Sequence, residues 1–202
     1  MIRGYEDKTF VLVASGPSLT QEQVDQCRGK AQIVVINDNY KIAPFADHLY
    51  ACDQTWWLWH EDDPELLAFK GKKWTQTSSW DDEIRKRIRK KHDLTFIQSK
   101  AEPGLSTDPN IIHQGSNSGY QAINLAYHLG AKKILLIGYD MQRTNDKAHW
   151  FGDHPDKGQT NYSKFTKYYN TLAKQDLDVE IINCTTQTAL TCFPRKELKD
   201  VL

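Results

Sequence analysis

The stretch FVLVASGPSLT, residues 10–20, decides how the rest of the chain is interpreted. Its apolar half predicts a buried strand over residues 9–14, and the SGPS segment at 15–18 predicts that this strand ends in a tight turn. Thr20 with Gln23 three positions later forms a capping-box pattern, which predicts that a helix begins here. A strand that passes into a helix through such a turn exposes backbone amides, and helix N-termini favour negative charge. The stretch therefore predicts an α/β protein with an anion site at its first turn.

Outward from this turn, short apolar segments alternate with segments of helical pattern. Further strands are predicted at residues 32–37, 48–52, 94–98, 132–138 and 179–184, with a weaker candidate at 72–76. Helices are predicted at residues 20–27, 81–92, 118–131 and 163–175. Strands that are apolar throughout are typical of a parallel sheet covered on both faces. We therefore expect one domain over residues 1–202, a three-layer α/β sandwich with a mainly parallel sheet.

The charge balance disfavours a nucleic-acid partner. The 202 residues include 26 basic and 26 acidic side chains, so the whole-molecule field offers a polyanion no attraction. The basic run RKRIRKKH at residues 85–92 is interpreted as a solvated helix face, with a patch for a polyanionic acceptor as the alternative. No signal peptide or membrane span is expected, and four cysteines without a C-x-x-C pair suit reduced thiols. We expect a cytoplasmic protein, and the sequence leaves its oligomeric state open, a homo-oligomer included.

The opening turn has the composition of a phosphate site. Gly16 lacks a Cβ and would let the backbone approach a ligand, and Pro17 stiffens the turn. The N–H groups of Ser18 and Leu19 are expected to point outward, beside the hydroxyl groups of Ser15 and Ser18. The turn matches neither the P-loop nor the G-x-G-x-x-G pattern, so ATPases and NAD-binding proteins of those classes are disfavoured. The alternative is a plain tight turn with a helix cap.

Two further turns after predicted strands present similar groups. The candidates are Ser116, Asn117 and Ser118 in the second turn, and Asn37 and Asp38 in the third. Side-chain capping of the following helix is the alternative for the second turn. In the third, an amide can bind a base or ribose edge, and a carboxylate can hold a ribose hydroxyl. Ligands of open α/β sheets lie at the carboxyl ends of the strands, so these turns are predicted to share one anionic ligand.

Residues 139–160 form the longest stretch without a predicted element, and such loops are usually functional or disordered. His149, Asp153 and His154 lie within it and are the candidate catalytic residues. A histidine can move a proton near neutral pH, and an aspartate beside it can fix its tautomer. Asp140 is assigned to the nucleotide site and is also a candidate ligand for a divalent metal, although the histidine-aspartate spacing matches no strict metal motif. An aromatic plug with incidental histidines is the alternative.

A tryptophan cluster follows the third predicted strand. Trp56, Trp57 and Trp59 cannot all face the core from one helix, and core packing of two of them is the expectation. The alternative is a stacking platform for a sugar, a pterin or a base. The acidic residue before them lies at the carboxyl end of a strand, where functional acids gather. The candidate acceptor or substrate contacts are Asp53, Trp56, Trp57 and Trp150.

In combination, the motifs resemble one known family. They occur in the order SGPSL (15–19), INDN (36–39), GSNSGYQAINLAYHLGAKKILLIGYDM (115–141), HWFGDHP (149–155) and NCTTQTALTCFP (183–194). This order is similar to the motility-accessory-factor-like family, including its short bacteriophage members. The fold of that family is related to the sialyltransferases of glycosyltransferase family 42. The resemblance spans nearly the whole chain and implies a sialyltransferase-like, Rossmann-like nucleotide-binding domain.

The resemblance also implies roles for individual residues. The opening turn and Asn37 would hold a CMP-sugar, Ser118 and Gly119 would contact the phosphate region of the donor, and His154 would be the general base toward an acceptor hydroxyl. Three functions follow as expectations. The first is a glycosyltransferase with a CMP-type donor and no cofactor. The second is a pterin-type diphosphokinase that transfers diphosphate from ATP with Mg²⁺. The third is a non-catalytic nucleotide binder, in the host cytoplasm if it is encoded by a phage.

Overall fold

The computed structural model describes residues 4–78, 80–152 and 161–202. The strands there are β1 (Lys8–Val13), β2 (Gln32–Ile36), β3 (His48–Tyr50), β4 (Lys72–Gln76), β5 (Leu94–Lys100), β6 (Ile111–His113), β7 (Ala131–Ile137) and β8 (Glu180–Asn183). The α-helices are α1 (Gln21–Gln26), α2 (Gln54–Trp59), α3 (Pro64–Ala68), α4 (Asp82–His92), α5 (Ser118–Leu129) and α6 (Tyr162–Leu172). Two 3₁₀ turns span Asn37–Tyr40 and Leu198–Asp200.

All eight strands of the described ranges join one parallel sheet in the order β6-β5-β4-β3-β2-β1-β7-β8. The chain moves from β1 outward to β6, and α5 then returns it to β7 on the other side of β1. Val11 accordingly pairs with Ile33 of β2 and with Leu135 of β7. A reversal of this kind leaves a crevice at the carboxyl ends of the two strands that flank it, here β1 and β7.

The sheet separates two hydrophobic cores. Phe10 and Leu12 of β1 pack beneath α5 and α6, and Val11 and Val13 pack beneath α1 to α4. All four side chains are fully buried. Alternate residues of a strand point to opposite faces, so an uninterrupted apolar strand requires cover on both. The three-layer α/β sandwich predicted from the sequence is therefore confirmed.

The predicted strands and helices are present, including β4, the weaker candidate. The sequence analysis missed β6, whose three residues are too few for a periodic pattern. It also missed α3, although its start carried a signal. Asp63 precedes Pro64 and accepts hydrogen bonds from the N–H groups of Glu65 (2.8 Å) and Leu66 (3.4 Å), as an N-cap residue does.

Two features of the described chain concern membrane-spanning helices and the cysteine thiols. None of the helices in the described ranges is long and apolar enough to cross a membrane. Burial raises the pKa of Cys27 to about 12 and the pKa values of Cys184 and Cys192 to about 11. These thiols therefore stay protonated near neutral pH and behave as small core side chains.

Candidate functional site

A cleft opens at the carboxyl ends of β1 and β7, and the N-terminus of α5 forms its third wall. Its volume is about 120 Å³, which is room for a small group such as a phosphate. The predicted site residues that line it are Ser15, Gly16, Asn37, Asn117, Ser118, Gly119, Asp140 and His149. The three turns singled out in the sequence therefore meet in one place.

A buried carboxylate holds the opening turn in place. Asp140 is 1% exposed, and its Oδ2 accepts hydrogen bonds from the N–H of Ser18 (2.9 Å) and the hydroxyl of Thr144 (3.2 Å). Its Oδ1 accepts a hydrogen bond from the Ser18 hydroxyl (2.8 Å). The N–H of Leu19 donates to the carbonyl of Gly16 (3.1 Å). The expectation that the Ser18 and Leu19 amides face an anion is therefore wrong, because both are bonded within the protein.

Gly16 is required by the fold at this turn. Its N–H donates to the Gly138 carbonyl (2.8 Å), which joins the ends of β1 and β7. A Cβ at this position would lie 2.0 Å from Asp140 Oδ1 and 2.4 Å from the Gly138 oxygen, so no larger residue fits without a shift of backbone. The close approach predicted for Gly16 is thus made to Asp140. Pro17 and Ser18 do not line the cleft.

At the start of α5, the polar side chains are bonded within the protein, and two backbone N–H groups are left for a ligand. The Asn117 side chain caps the helix by accepting the N–H of Tyr120 (2.9 Å), so the capping alternative holds for this residue. The Ser118 hydroxyl accepts the N–H of Cys52 (3.1 Å) and ties α5 to the end of β3. The N–H groups of Ser118 and Gly119 have no hydrogen-bond partner among the described residues. Two open donors at a helix N-terminus attract an anion.

Gly119 and Ser116, at the start of α5, differ in their surroundings. A Cβ on Gly119 would lie 3.1 Å from Tyr139 and from Tyr169, so the missing side chain serves close packing against those rings. The Tyr139 hydroxyl donates to the Gly119 carbonyl (3.0 Å), which leaves the N–H of the glycine as its group for a ligand. Ser116 is exposed and does not line the cleft, so the prediction that it contacts the same ligand is wrong.

Asn37 and Ser15 offer polar groups that the protein itself leaves unused. The Asn37 side chain makes no hydrogen bond among the described residues, and its backbone has a φ of 53°. The Ser15 hydroxyl is buried without a partner. Met141, another lining residue, has a φ of 50°, a conformation that bulky side chains rarely adopt. Backbone strain and unpaired buried groups concentrate at functional sites.

Replacing Ser15 with alanine is expected to leave the free energy of unfolding unchanged or to raise it by up to about 1 kcal/mol, because an unpaired buried hydroxyl is removed. Affinity for a ligand of the cleft should fall about tenfold, the usual effect of one lost hydrogen bond. The matched control is Ser118→Ala, which breaks the bond to the Cys52 amide and should destabilise by about 1 kcal/mol. Urea denaturation and calorimetric titration measure the two effects. Loss of stability in Ser15→Ala would contradict this assignment.

Asp38 points away from the cleft into a buried polar cluster. The indole N–H of Trp56 donates to its Oδ2 (3.1 Å), and Nε2 of His60 lies 2.9 Å from its Oδ1. The prediction that Asp38 holds a ribose hydroxyl is therefore wrong. The sequence offered one usable signal, since His60 follows Trp56 by four positions and both lie on one face of α2 and its C-terminal cap.

The pair of His60 and Asp38 should make stability depend on pH. Burial lowers the pKa of His60, but its hydrogen bonds to Asp38 and to the Trp56 carbonyl, with the charge of Asp38, raise it overall. A folded pKa above the unfolded value of about 6.5 means that this stabilisation is fully present below about pH 6.5 and is lost as pH rises through the folded pKa. Denaturant titrations at a series of pH values, from below pH 6.5 to above the folded pKa of His60, should show this decrease in the free energy of unfolding. They should not show it in Asp38→Asn, whose amide can donate to a neutral imidazole and still accept from Trp56.

The acceptor residues predicted from the sequence do not gather at the cleft. Trp56 and Trp57 are buried in the core beneath the sheet, and the indole N–H of Trp57 donates to the Ala51 carbonyl (3.0 Å). Their stacking on an acceptor is therefore excluded, and the expected core packing of two of the three tryptophans is confirmed. Asp53 is exposed at the start of α2 and does not line the cleft.

Trp150 anchors the long loop to the opening turn. Its backbone N–H donates to the Ser15 carbonyl (3.0 Å), and its indole N–H donates to Oδ1 of Asn39 (2.7 Å). The amide of Asn39 in turn donates to the Val13 carbonyl (2.6 Å). Trp150 therefore has a bridging role, which replaces the acceptor contact predicted for it. Asn39, the last residue of the INDN motif, thus connects the ends of β1 and β2 to Trp150 and does not offer its amide to a base or ribose edge.

Only one of the candidate catalytic residues can be placed. His149 lines the cleft, with its ring stacked on Phe151 (ring centres 5.1 Å apart), and its backbone pairs with Gly152. Asp153 and His154 lie outside the described residues. Among the residues that are described, no group of three or more His, Cys, Asp or Glu side chains could hold a metal ion.

The basic run of α4 is largely neutralised by acidic neighbours. Arg85 pairs with Asp82 (2.8 Å), Lys86 with Glu83 (2.7 Å), Arg87 with Glu61 (3.0 Å), and Lys91 with Glu61 (3.6 Å) and Asp62 (2.5 Å). The helix begins with acids and ends with bases, which suits its dipole. These pairs favour the solvated helix face over a patch for a polyanion.

Comparison with protein-family models, with curated proteins and with solved structures finds no match for this chain. The resemblance to the motility-accessory-factor-like family therefore stays a prediction. The fold and the groups that line the cleft are the basis on which a function can be argued.

Proposed function

We propose that this chain is a transferase that binds a nucleotide-activated sugar of the CMP type, with the phosphate of the donor in the cleft between β1, β7 and α5. One observation carries the proposal. The N–H groups of Ser118 and Gly119, at the N-terminus of α5, have no hydrogen-bond partner among the described residues. They lie at the same cleft as the Ser15 hydroxyl and the Asn37 amide. Backbone donors on a helix N-terminus bind phosphate without any basic side chain.

The same donors suit transfer chemistry. When a sugar leaves its nucleotide, negative charge grows on the phosphate oxygens, and fixed donors around them stabilise that charge. Removing a single donor of this type usually costs about 10²–10³ in rate. The cleft volume of about 120 Å³ suits the phosphate group. The Asn37 amide lines the cleft at the end of β2 and would bind the nucleoside that extends from the phosphate.

An acceptor hydroxyl needs a base, and the long loop supplies two histidines. His149 lines the cleft, where its side chain would contact the acceptor. His154 is the residue that the family resemblance assigns as general base, and we retain that assignment. Transfer would then remove the proton from the acceptor oxygen, form the new glycosidic bond and release the nucleotide as the leaving group.

A magnesium-dependent diphosphokinase is the second candidate, and the described carboxylates fit it poorly. The carboxylates that could act as its metal ligands are Asp53, Asp140 and Asp153. Both oxygens of Asp140 already accept hydrogen bonds, and Asp53 is not among the residues that line the cleft. Asp153 lies outside the described residues. We derive no step through a metal. The third candidate, a nucleotide binder without turnover, would use the same cleft.

Thermal unfolding with CMP, UDP, ATP and a cyclic nucleotide, each with and without Mg²⁺, separates these candidates. A ligand at about one hundred times its dissociation constant should add about 2.7 kcal/mol of stability. A CMP-selective shift that does not need Mg²⁺, with turnover of a CMP-sugar, supports the glycosyltransferase. An ATP shift that disappears with a chelator would favour the diphosphokinase. A shift without turnover would favour the non-catalytic binder, and no shift with any nucleotide would overturn the proposal.

A further inference from the structure

The 3₁₀ turn Asn37–Tyr40 presents one residue to the cleft, and hydrogen bonds of its other three residues hold it in place. Asn37, its first residue, lines the cleft with a φ of 53°. Asp38, the next residue, points the opposite way and is bonded to Trp56 and His60 of the α2 region. Asparagine tolerates the left-handed region, but this region is not its preferred backbone conformation. The contacts of the following residues therefore maintain the position of Asn37.

Asn39 and Tyr40 also hold the 3₁₀ turn in place. Asn39 donates to the Val13 carbonyl (2.6 Å) and accepts from the indole of Trp150 (2.7 Å). The Tyr40 hydroxyl donates to Oδ2 of Asp63 (2.8 Å) at the start of α3. Asn37 is thus the one residue of this turn that faces the cleft, and Asn39 of the same turn also holds Trp150, the neighbour of His149.

The pair of His60 and Asp38 contains one titratable proton. Nδ1 of His60 lies 2.9 Å from the Trp56 carbonyl, which can only accept, so Nδ1 carries a hydrogen. Nε2 lies 2.9 Å from the Asp38 carboxylate, which is also an acceptor. Both contacts are therefore satisfied as hydrogen bonds when a second hydrogen lies between Nε2 and Asp38, that is, when the pair is imidazolium and carboxylate. Loss of that proton leaves two acceptors facing each other in a half-buried setting.

The surroundings of the imidazole favour the charged ring. Trp56 stacks on it with ring centres 4.4 Å apart, and Tyr40 meets it edge-on at 6.1 Å. The charged groups near the ring are Asp38, in direct contact, and Lys41, which opposes the positive charge but pairs with Asp63 (3.2 Å). A raised pKa of His60 agrees with this geometry.

We propose that the Asp38–His60 pair is a protonation-dependent positioning element that holds Asn37 in the cleft and thereby sets affinity for the nucleotide. The inference rests on the proposed function and names residues that do not touch the ligand. When His60 loses its proton, the contact to Asp38 weakens and the 3₁₀ turn gains alternative conformations. Asn37 then spends less time in its binding position, and Asn39 holds Trp150 less firmly.

Titration of CMP affinity against pH tests the positioning element. Between about pH 7 and pH 9.5, above the second phosphate ionisation near 6, the charge of CMP is constant. Wild-type affinity should fall about tenfold across the folded pKa of His60, a typical size for coupled equilibria. Asp38→Asn should show a flat profile, and His60→Gln is a second variant if that one folds poorly. A flat wild-type profile, or the same fall in Asp38→Asn, would overturn the inference.

NMR of the free protein separates failure of this inference from failure of the proposed function. The indole N–H resonance of Trp150 and the amide of Asn37 should shift with the same midpoint as the ring of His60. In Asp38→Asn both should stay constant with pH. Such coupling without any CMP binding would uphold the positioning element and defeat the proposed function. Titration of His60 with no response at Trp150 and Asn37 would overturn the inference, whatever CMP does.

Discussion

Replacing Asp140 with alanine is expected to lower the free energy of unfolding by about 3 kcal/mol. Three donors from Ser18 and Thr144 end on this carboxylate, and hydrogen bonds to a charged group contribute about 1.5–3 kcal/mol each. Part of that gain is offset in the native protein because burial raises the pKa of Asp140, which reflects the cost of keeping its charge away from water. The net loss is therefore smaller than the sum of the three bonds.

Asp140→Asn is the matched control. Its amide oxygen can accept from the Ser18 and Thr144 donors now on Oδ2, and the Ser18 hydroxyl can rotate to accept from the amide nitrogen. We expect a loss of no more than about 1 kcal/mol and unchanged nucleotide binding. Urea unfolding of both variants measures the difference. Equal stability of wild type and Asp140→Ala would contradict the structural role of Asp140. A folded Asp140→Asn that loses an Mg²⁺-dependent turnover shown by the wild type would favour the diphosphokinase.

His154→Ala is expected to reduce kcat for glycosyl transfer by about 10²–10⁴ while CMP affinity stays within about twofold, since a general base acts on the acceptor proton and not on the donor. His149→Ala is the comparison, because this ring lies in the wall of the cleft. It should raise KM for the acceptor more than it lowers kcat. Steady-state kinetics with saturating donor separates the two effects. The opposite pattern, with the large kcat loss in His149→Ala, would move the base to His149.

The sequence predicted the layers of this fold better than the contacts of its site. Apolar strands such as the one predicted at residues 9–14 require cover on both faces, so their pattern alone implied the parallel sheet. The partner of the opening turn was not predictable in the same way. Asp140 lies 122 residues beyond Ser18, and only the reversal of strand order brings them together. A local pattern of turn residues therefore suggested free amides where the fold supplies a carboxylate.

Side-chain direction was the second limit. Asn37 and Asp38 are adjacent and equally polar, yet one lines the cleft and the other joins His60 and Trp56 behind it. The left-handed backbone at Asn37 decides this division, and nothing in the local sequence specifies it. Ser118 lines the cleft, and its contact with the donor phosphate stays a prediction. Its hydroxyl is bonded to the Cys52 amide, and its backbone N–H is what it offers to the cleft.

A titration of ¹⁵N-labelled protein with CMP, followed through its amide resonances, tests the phosphate site at the start of α5 most directly. We expect the largest shifts at the N–H groups of Ser118 and Gly119, with smaller shifts at Ser15 and the side chain of Asn37. Saturating shifts confined to another surface, or spectra that do not change with CMP or any other nucleotide, would contradict the site.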